Sequence, residues 1–333
     1  MKKSFLLLAP LLVFLVQEVS PTEEIKLDDF SYTKKQVALA EEVVKILEED
    51  HFLKKSFDSV QIEAFDLYLE RLDPNKNIFL SSELNEFKKD IGNKRDIEDN
   101  LKVAYDAFKT YGKRYQSRHD LQVNFLNNIS ENNLRSSKRI IRDRSKAERH
   151  DVIGELKNSW KDLIVNDVIQ LMLSSNSIEE SAEKTLKRLK NQLNYFNQTK
   201  NEDVFNIYIN SISSIYGPHT SYMSPKNTED FDINMSLSLE GIGALLSPDG
   251  PYTSISSLIP GGPAEKSGLL KAKDKIIGVG QEDDGEIIDV VGWRLDDVVE
   301  LIRGPKDSKV RLEINPGTSL DDSNTKEIQI IRN

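Results

Sequence analysis

The chain has 333 residues, with 55 acidic against 45 basic side chains, a formal net charge of -10 and no cysteine. The missing thiols exclude disulfides, thiolate nucleophiles and cysteine-based metal centres. The acidic balance argues against nucleic acid as a partner, because duplex binding needs a basic face to displace counterions. At 30% charged and 38% hydrophobic residues the composition is that of an ordinary globular protein, long enough for about two domains.

The N-terminus, Met1-Lys2-Lys3 followed by an apolar run over residues 5–16, has the basic head and apolar core of an export signal. The run is too short to span a bilayer. Glu18 and Ser20 at the -3 and -1 positions, with Pro21 after them, make a poor cleavage site, so residues 1–20 read as a signal peptide or a retained N-terminal anchor. The expected destination is a bacterial periplasm, with membrane contact only through this segment.

From Thr33 the apolar spacing turns helical: Val37, Ala40, Val44 and Leu47 share one face. Ile62, Phe65, Leu69 and Leu72 predict a second helix closed by Asp73-Pro74, since the residue before proline disfavours helical geometry. Leu84, Phe87 and Ile91 suggest a third. Beyond Asp151 the stripe resumes with Ile153, Leu156, Trp160, Ile164 and Val168. Ser177 with Glu180 three residues on forms a capping box, which opens a helix carrying Ala182, Leu186, Leu189 and Leu193. A last helix carries Phe205, Ile209, Ile212 and Tyr216 and stops at Gly217-Pro218. Residues 21–230 therefore read as an all-α N-terminal domain. Its basic run, Arg135, Lys138, Arg139, Arg142, Arg144, Lys146 and Arg149, reads as a solvated face or connector rather than an anion-binding patch, because no aromatic residues interleave the charges.

Signatures of catalysis are missing. His51, His119, His150 and His219 stand singly, with no pair at zinc-helix spacing. Gly241-Ile242-Gly243 lacks the third glycine of a dinucleotide loop, and there is neither a phosphate-binding Gly-Lys-Ser/Thr loop nor a Gly-x-Ser-x-Gly elbow. Ser56 and Ser137 have lysine neighbours in charged, exposed-looking segments. Lysines there stay protonated and cannot act as bases. The adjacent acids Asp283-Asp284 and Asp296-Asp297 read as solvated. No catalytic residue, metal site or cofactor is assigned within the chain.

Residues 231–333 change character. The turn Leu239-Glu240-Gly241-Ile242-Gly243-Ala244 places two glycines about one aliphatic residue, so that backbone N–H groups converge on one point before a strand begins. Tyr252–Leu258 reads as a second strand. Gly262-Pro263-Ala264 opens a short helix ended by Gly268, with proline near its start and glycine past its end. Ile276-Ile277-Gly278-Val279 and Ile287-Ile288-Asp289-Val290-Val291 are β-like runs joined through the turn dipeptide Asp284-Gly285. A helix over residues 295–303 follows, then alternating strands at Val310, Leu312 and Ile314 and at Ile328 and Ile330.

This order of parts resembles a bacterial-type PDZ domain. The fold expected for the chain is therefore α+β and multidomain: a helical N-terminal domain, then a small PDZ-type β-sandwich or barrel with two helices. In such a module an extended peptide adds a strand at residues 242–246 while its terminal carboxylate accepts N–H bonds from the turn. The expected peptide-binding residues are Leu239, Glu240, Gly241, Ile242, Gly243 and Ala244 on the strand side and Leu295, Val299 and Ile302 on the helix side, with Val298 and Leu301 toward the core. Core packing is the competing reading for Leu295 and Val299. An apolar groove selects nonpolar C-termini.

The likeness extends upstream. Asn201-Glu202-Asp203-Val204-Phe205, Gly217-Pro218-His219-Thr220-Ser221-Tyr222-Met223-Ser224-Pro225, Met235-Ser236-Leu237-Ser238-Leu239-Glu240-Gly241-Ile242-Gly243-Ala244 and Val291-Gly292-Trp293-Arg294-Leu295-Asp296-Asp297-Val298-Val299 are similar to the tail-specific, or C-terminal-processing, serine protease family. Phe65-Asp66-Leu67-Tyr68-Leu69 is similar more loosely. Gly217 departs from the aspartate that the family usually carries before Pro-His-Thr. The resemblance implies the substrate-recognition portion of a serine endopeptidase with a Ser/Lys core, that core being expected outside residues 1–333. A helical-repeat lipoprotein adaptor is a further partner implied by the family. The alternative expectation is a stand-alone, non-catalytic PDZ peptide-binding protein.

Overall fold

The computed structural model describes residues 25–93, 96–135, 139–141, 143–173, 177–225, 228, 241–317 and 325–333. The export-signal segment, Leu239 and Glu240 lie outside the described residues. Among the described residues, no helix is long and apolar enough to cross a membrane.

The helical half follows a 3₁₀ turn at Leu27–Asp29 and comprises α1 Lys34–Glu49, α2 Phe57–Leu72, α3 Ser81–Gly92, α4 Ile97–Asn127, α5 Glu131–Leu134, α6 Ile153–Met172, α7 Ile178–Asn197 and α8 Asn201–Tyr216. Local chemistry sets several starts. Thr33 Oγ1 accepts the Gln36 N–H at 3.2 Å while Gln36 Oε1 accepts the Thr33 N–H at 2.8 Å. Ser177 and Glu180 cap each other in the same reciprocal way, at 3.1 Å in both directions. Each such cap satisfies two backbone donors that a helix leaves without a partner at its first turn.

Two cores share one spine. Phe65, Tyr68, Leu69, Phe79, Leu101, Phe108, Phe205, Tyr208 and Tyr216 belong to the main cluster. Leu126, Ile164, Val168, Ala182 and Leu189 form a second. The 31-residue α4 contributes to both, and at 1.5 Å per residue it is about 46 Å long, enough to run the length of the domain. Burying each large apolar side chain stabilises the fold by about 1.5–3 kcal/mol. Ile62 corrects the expected α2 stripe: it is 47% exposed, because the buried face runs through Phe57, Gln61, Ala64, Phe65, Tyr68 and Leu72.

Arg149 corrects the reading of the basic run. Its guanidinium pairs with Asp73, and the two side chains are only 8% and 2% exposed. Asp73 also accepts the N–H groups of Asn77, Ile78 and Phe79 at 2.9–3.1 Å. That carboxylate ties the loop after α2, and Trp160 Nε1 donates to Asn77 O in the same loop at 2.7 Å. A charge is tolerated here because every buried polar contact is made.

The second half is an antiparallel sheet of β1 Ala244–Asp249, β2 Tyr252–Leu258, β3 Lys275–Gln281, β4 Ile288–Asp289, β5 Lys309–Asn315 and β6 Lys326–Ile331, with helices α9 Pro263–Ser267 and α10 Leu295–Ile302. The order is β1-β2-β3-β5-β6, with β4 paired to β3. Just beyond β6, Asn333 and Gly241 exchange backbone bonds at 3.1 and 3.3 Å, so the chain end returns to the segment before β1 and nearly closes the sheet. Ile255, Ile276, Val279, Val298, Val310, Leu312 and Ile314 fill the interior.

Candidate functional site: an open strand edge beside a glycine turn

Gly243 shapes the turn. Its φ is +69°, a left-handed conformation that favours glycine, and a Cβ there would sit 3.0 Å from both Gly262 Cα and Pro263 Cδ. The turn is thus pressed against the start of α9. Ile242, 3% exposed, inserts into the module core. Its carbonyl accepts the Ala264 N–H at 2.8 Å, and the Gly243 carbonyl accepts the Ile259 N–H at 2.9 Å.

Those bonds decide which polar groups face outward. Gly243 O points at β2, so strand alternation turns the N–H and C=O of Ala244 to the other edge. Among the described residues, β1 pairs only with β2. The N–H groups of Ile242 and Gly243 donate to no described residue. Gly241 is spoken for by Asn333. The result is a strand edge, unpaired among the described residues, that begins beside two N–H groups with no described acceptor, an arrangement suited to a peptide strand whose last group is an anion.

The other wall is α10, which lies alongside β1. Leu295 and Val299 are half-buried and fall outside the core cluster, whereas Val298 is fully buried. Ala244 and Leu246, on the strand side, are partly buried against the core. Ile302, placed by its spacing with Leu295 and Val299, is 3% exposed and packs in the core; Leu301, expected toward the core, is partly buried and packs against it. The structure therefore sets Gly241, Ile242, Gly243 and Ala244 at the head of β1 and Leu295 and Val299 on the helix alongside it. The stem of Arg303 runs past the turn, its Cγ 4.0 Å from where a Gly241 Cβ would be.

Both ends of α10 are held by charged side chains that periodicity does not reveal. At the C-terminal end, Arg332 is 2% exposed. Its Nε donates to Ile302 O at 2.8 Å, Nη1 to Ser308 Oγ and Lys309 O at 2.9 and 3.0 Å, and Nη2 to Gln281 Oε1 and Leu301 O at 2.6 and 3.2 Å. All five guanidinium donors are used. Burial pulls its pKa down, and the partial negative charge at the helix end works the other way.

At the N-terminal end, Arg294 Nη1 donates to Asp203 Oδ2 at 2.6 Å and Lys200 Nζ to Asp297 Oδ2 at 2.7 Å. Gln198 Nε2 adds a bond to Gly292 O at 2.9 Å. Burial works against the charge on Arg294, but Asp203, Asp297 and Asp296 outweigh it and keep the pKa above its ordinary value. The sequence does contain Asp203 and Arg294 in quoted motifs, yet nothing in either motif says that they meet.

Residues 43–226 match the family described as tail specific protease N-terminal domain, and residues 230–315 match the PDZ domain. The chain is 39% identical over 274 residues to a tail-specific protease of Haemophilus influenzae, an alignment spanning 81% of this chain and 39% of that protein. It is 39% identical over 104 residues to the carboxy-terminal processing protease CtpA of Bacillus subtilis, covering 31% of this chain and 21% of the relative. Among solved structures, the PDZ domain of a carboxy-terminal protease from Vibrio cholerae in complex with peptide is 52% identical, with a TM-score of 0.27, covering 28% of this chain and 93% of that one. The chain thus spans less than half the length of the curated relatives it matches.

Proposed function

Because the chain belongs to the tail-specific protease family, we propose that it captures nonpolar C-termini of proteins in the groove between β1 and α10 and presents them for proteolysis. The observation that carries this is the edge of β1 that pairs with no strand among the described residues, starting at the N–H groups of Ile242 and Gly243, which donate to no described residue. A peptide pairing with β1 brings its terminal carboxylate to those N–H groups. Its side chains alternate across the strand, so every second one enters the space bounded by Leu295 and Val299. The groove residues named here are glycines and aliphatic side chains: the site binds and orients but does not cut.

In this reading, residues 21–230 form the helical domain and residues 231–333 the binding module. The basic and apolar segment at residues 1–20 directs the chain to the periplasm, where protein tails and a helical-repeat lipoprotein adaptor are its partners. The test is fluorescence anisotropy with the whole chain and a labelled peptide ending in Ile-Val-Val. The free acid binds roughly ten- to a hundredfold more tightly than the C-terminal amide, the factor expected from charge-assisted hydrogen bonds. Equal affinity of acid and amide overturns the assignment of the turn.

A further inference from the structure

The contacts at the start of α10 follow a reciprocal pattern. Lys200 precedes α8 as its N-cap, and Asp203 is the third residue of that helix; Arg294 precedes α10 as its N-cap, and Asp297 is its third residue. Each cap residue reaches across to the other helix's third residue: Lys200 to Asp297 at 2.7 Å, Arg294 to Asp203 at 2.6 Å. Asp203 Oδ2 also accepts the Lys200 backbone N–H at 2.9 Å. Two helix N-termini, each carrying partial positive charge, are joined through carboxylates in both first turns. One helix belongs to the helical domain and the other forms a wall of the groove.

The module holds the approach to that end through backbone bonds, Gly292 N–H to Pro251 O at 2.6 Å and Trp293 N–H to Val290 O at 3.1 Å, while the side chains there are largely open. Val291 and Trp293, on the approach to the helix, are 37% and 42% exposed, and Leu295 is half-buried outside the core cluster. The far end is locked by Arg332 and by Ile302 in the core. The helix is therefore held at its C-terminal end by its own module and at its N-terminal end by that module and the neighbouring domain together. Because α10 lies alongside β1, the placement of its N-terminal end bears on the width of the groove between them.

We propose that Lys200 and Asp203 of the helical domain are positioning residues for the peptide groove, holding α10 at the spacing from β1 that ligand binding needs. The inference rests on the peptide-binding reading above. Neither residue lies in the groove; both act through Asp297 and Arg294. Linkage makes the effect mutual: a peptide bound in the groove favours the joined arrangement of the two domains by the same factor.

Charge reversal in the whole chain tests this. Lys200→Glu leaves the Asp203 cap of α8 in place and sets two carboxylates against each other. Its affinity for the free-acid Ile-Val-Val peptide is expected to fall about fivefold, within what a partly exposed ion pair can carry. Lys200→Glu combined with Asp297→Lys restores the pair in reverse and brings affinity back to within about twofold of the unaltered chain. Wild-type affinity in Lys200→Glu, or no rescue in the double variant, overturns the inference. Hydrogen exchange of the α10 amides gives a readout without peptide: faster in the single variant and restored in the double one. If the unaltered chain binds no such peptide, the peptide-binding reading fails; the hold on α10 is then judged by exchange alone, and unchanged rates refute it.

Discussion

Replacing Arg332 with methionine removes all five hydrogen bonds at the end of α10 while keeping an unbranched side chain of comparable length. Ile302 O, Leu301 O, Lys309 O, Ser308 Oγ and Gln281 Oε1 each lose a donor. A buried acceptor left without a donor costs about 1–3 kcal/mol. Gln281 is exposed and recovers a bond from water, and the methionine side chain returns part of the lost packing. Leu301 O keeps Gln281 Nε2 as a donor at 2.7 Å and Lys309 O keeps the Glu282 N–H at 3.1 Å, so Ile302 O is the acceptor left bare and the net loss is about 1–3 kcal/mol. Lysine does not rescue, because one ammonium cannot reach five acceptors spread around a planar fork. The assay is native-state hydrogen exchange of amides in β5 and β6, which quickens roughly five- to a hundredfold for that loss. A change under about 1 kcal/mol would show that α10 is closed by its own packing and that Arg332 is incidental.

Two further substitutions probe the turn and the pH response. Gly243→Ala forces a left-handed residue to carry a Cβ 3.0 Å from Gly262 Cα and Pro263 Cδ; the strain alone costs about 1–2 kcal/mol, and free-acid peptide affinity falls at least about tenfold. Gly250→Ala is the control, with φ +62° but nothing within 4 Å of the added carbon, so in urea unfolding it costs the left-handed strain of about 1–2 kcal/mol alone and leaves binding intact; equal effects of the two on peptide affinity would contradict the close packing of the turn. His150 has its pKa lowered from the ordinary 6.5 by burial and by Arg144, against an opposing pull from Glu155. A depressed histidine contributes stability that is full above pH 6.5 and is lost as pH falls through the folded-state value. Thermal unfolding midpoints should therefore drop on acidification below that point, and His150→Gln should flatten the slope; an unaltered slope rules His150 out as its source.

How much of this was legible in the sequence depends on what held each element. Helices with a cap and an even stripe, such as α7 with Ser177, Glu180 and Leu189, can be read directly. The long α4 cannot: its buried face mixes Leu101 and Phe108 with Asn100, Gly112 and Gln122, and small or polar buried residues erase an apolar period. Gly112 leaves room for the Leu27 side chain, which a Cβ there would meet, a contact between segments far apart in the chain. The glycine turn was visible because its chemistry is local. Asp297, by contrast, looks like one acid among many until Lys200 is seen beside it. Arg149 was hidden in a basic run for the same reason, since the partner that buries it, Asp73, is 76 residues away.

The central claim, that the turn at Ile242 and Gly243 receives a terminal carboxylate, is tested most directly by following those two amide resonances in a ¹⁵N-labelled whole chain as the Ile-Val-Val peptide is added. On this account both proton signals move downfield with the free acid, as N–H groups do on gaining a charged acceptor, and stay in place with the amide. Saturable binding of the free acid that leaves both signals unmoved would contradict it.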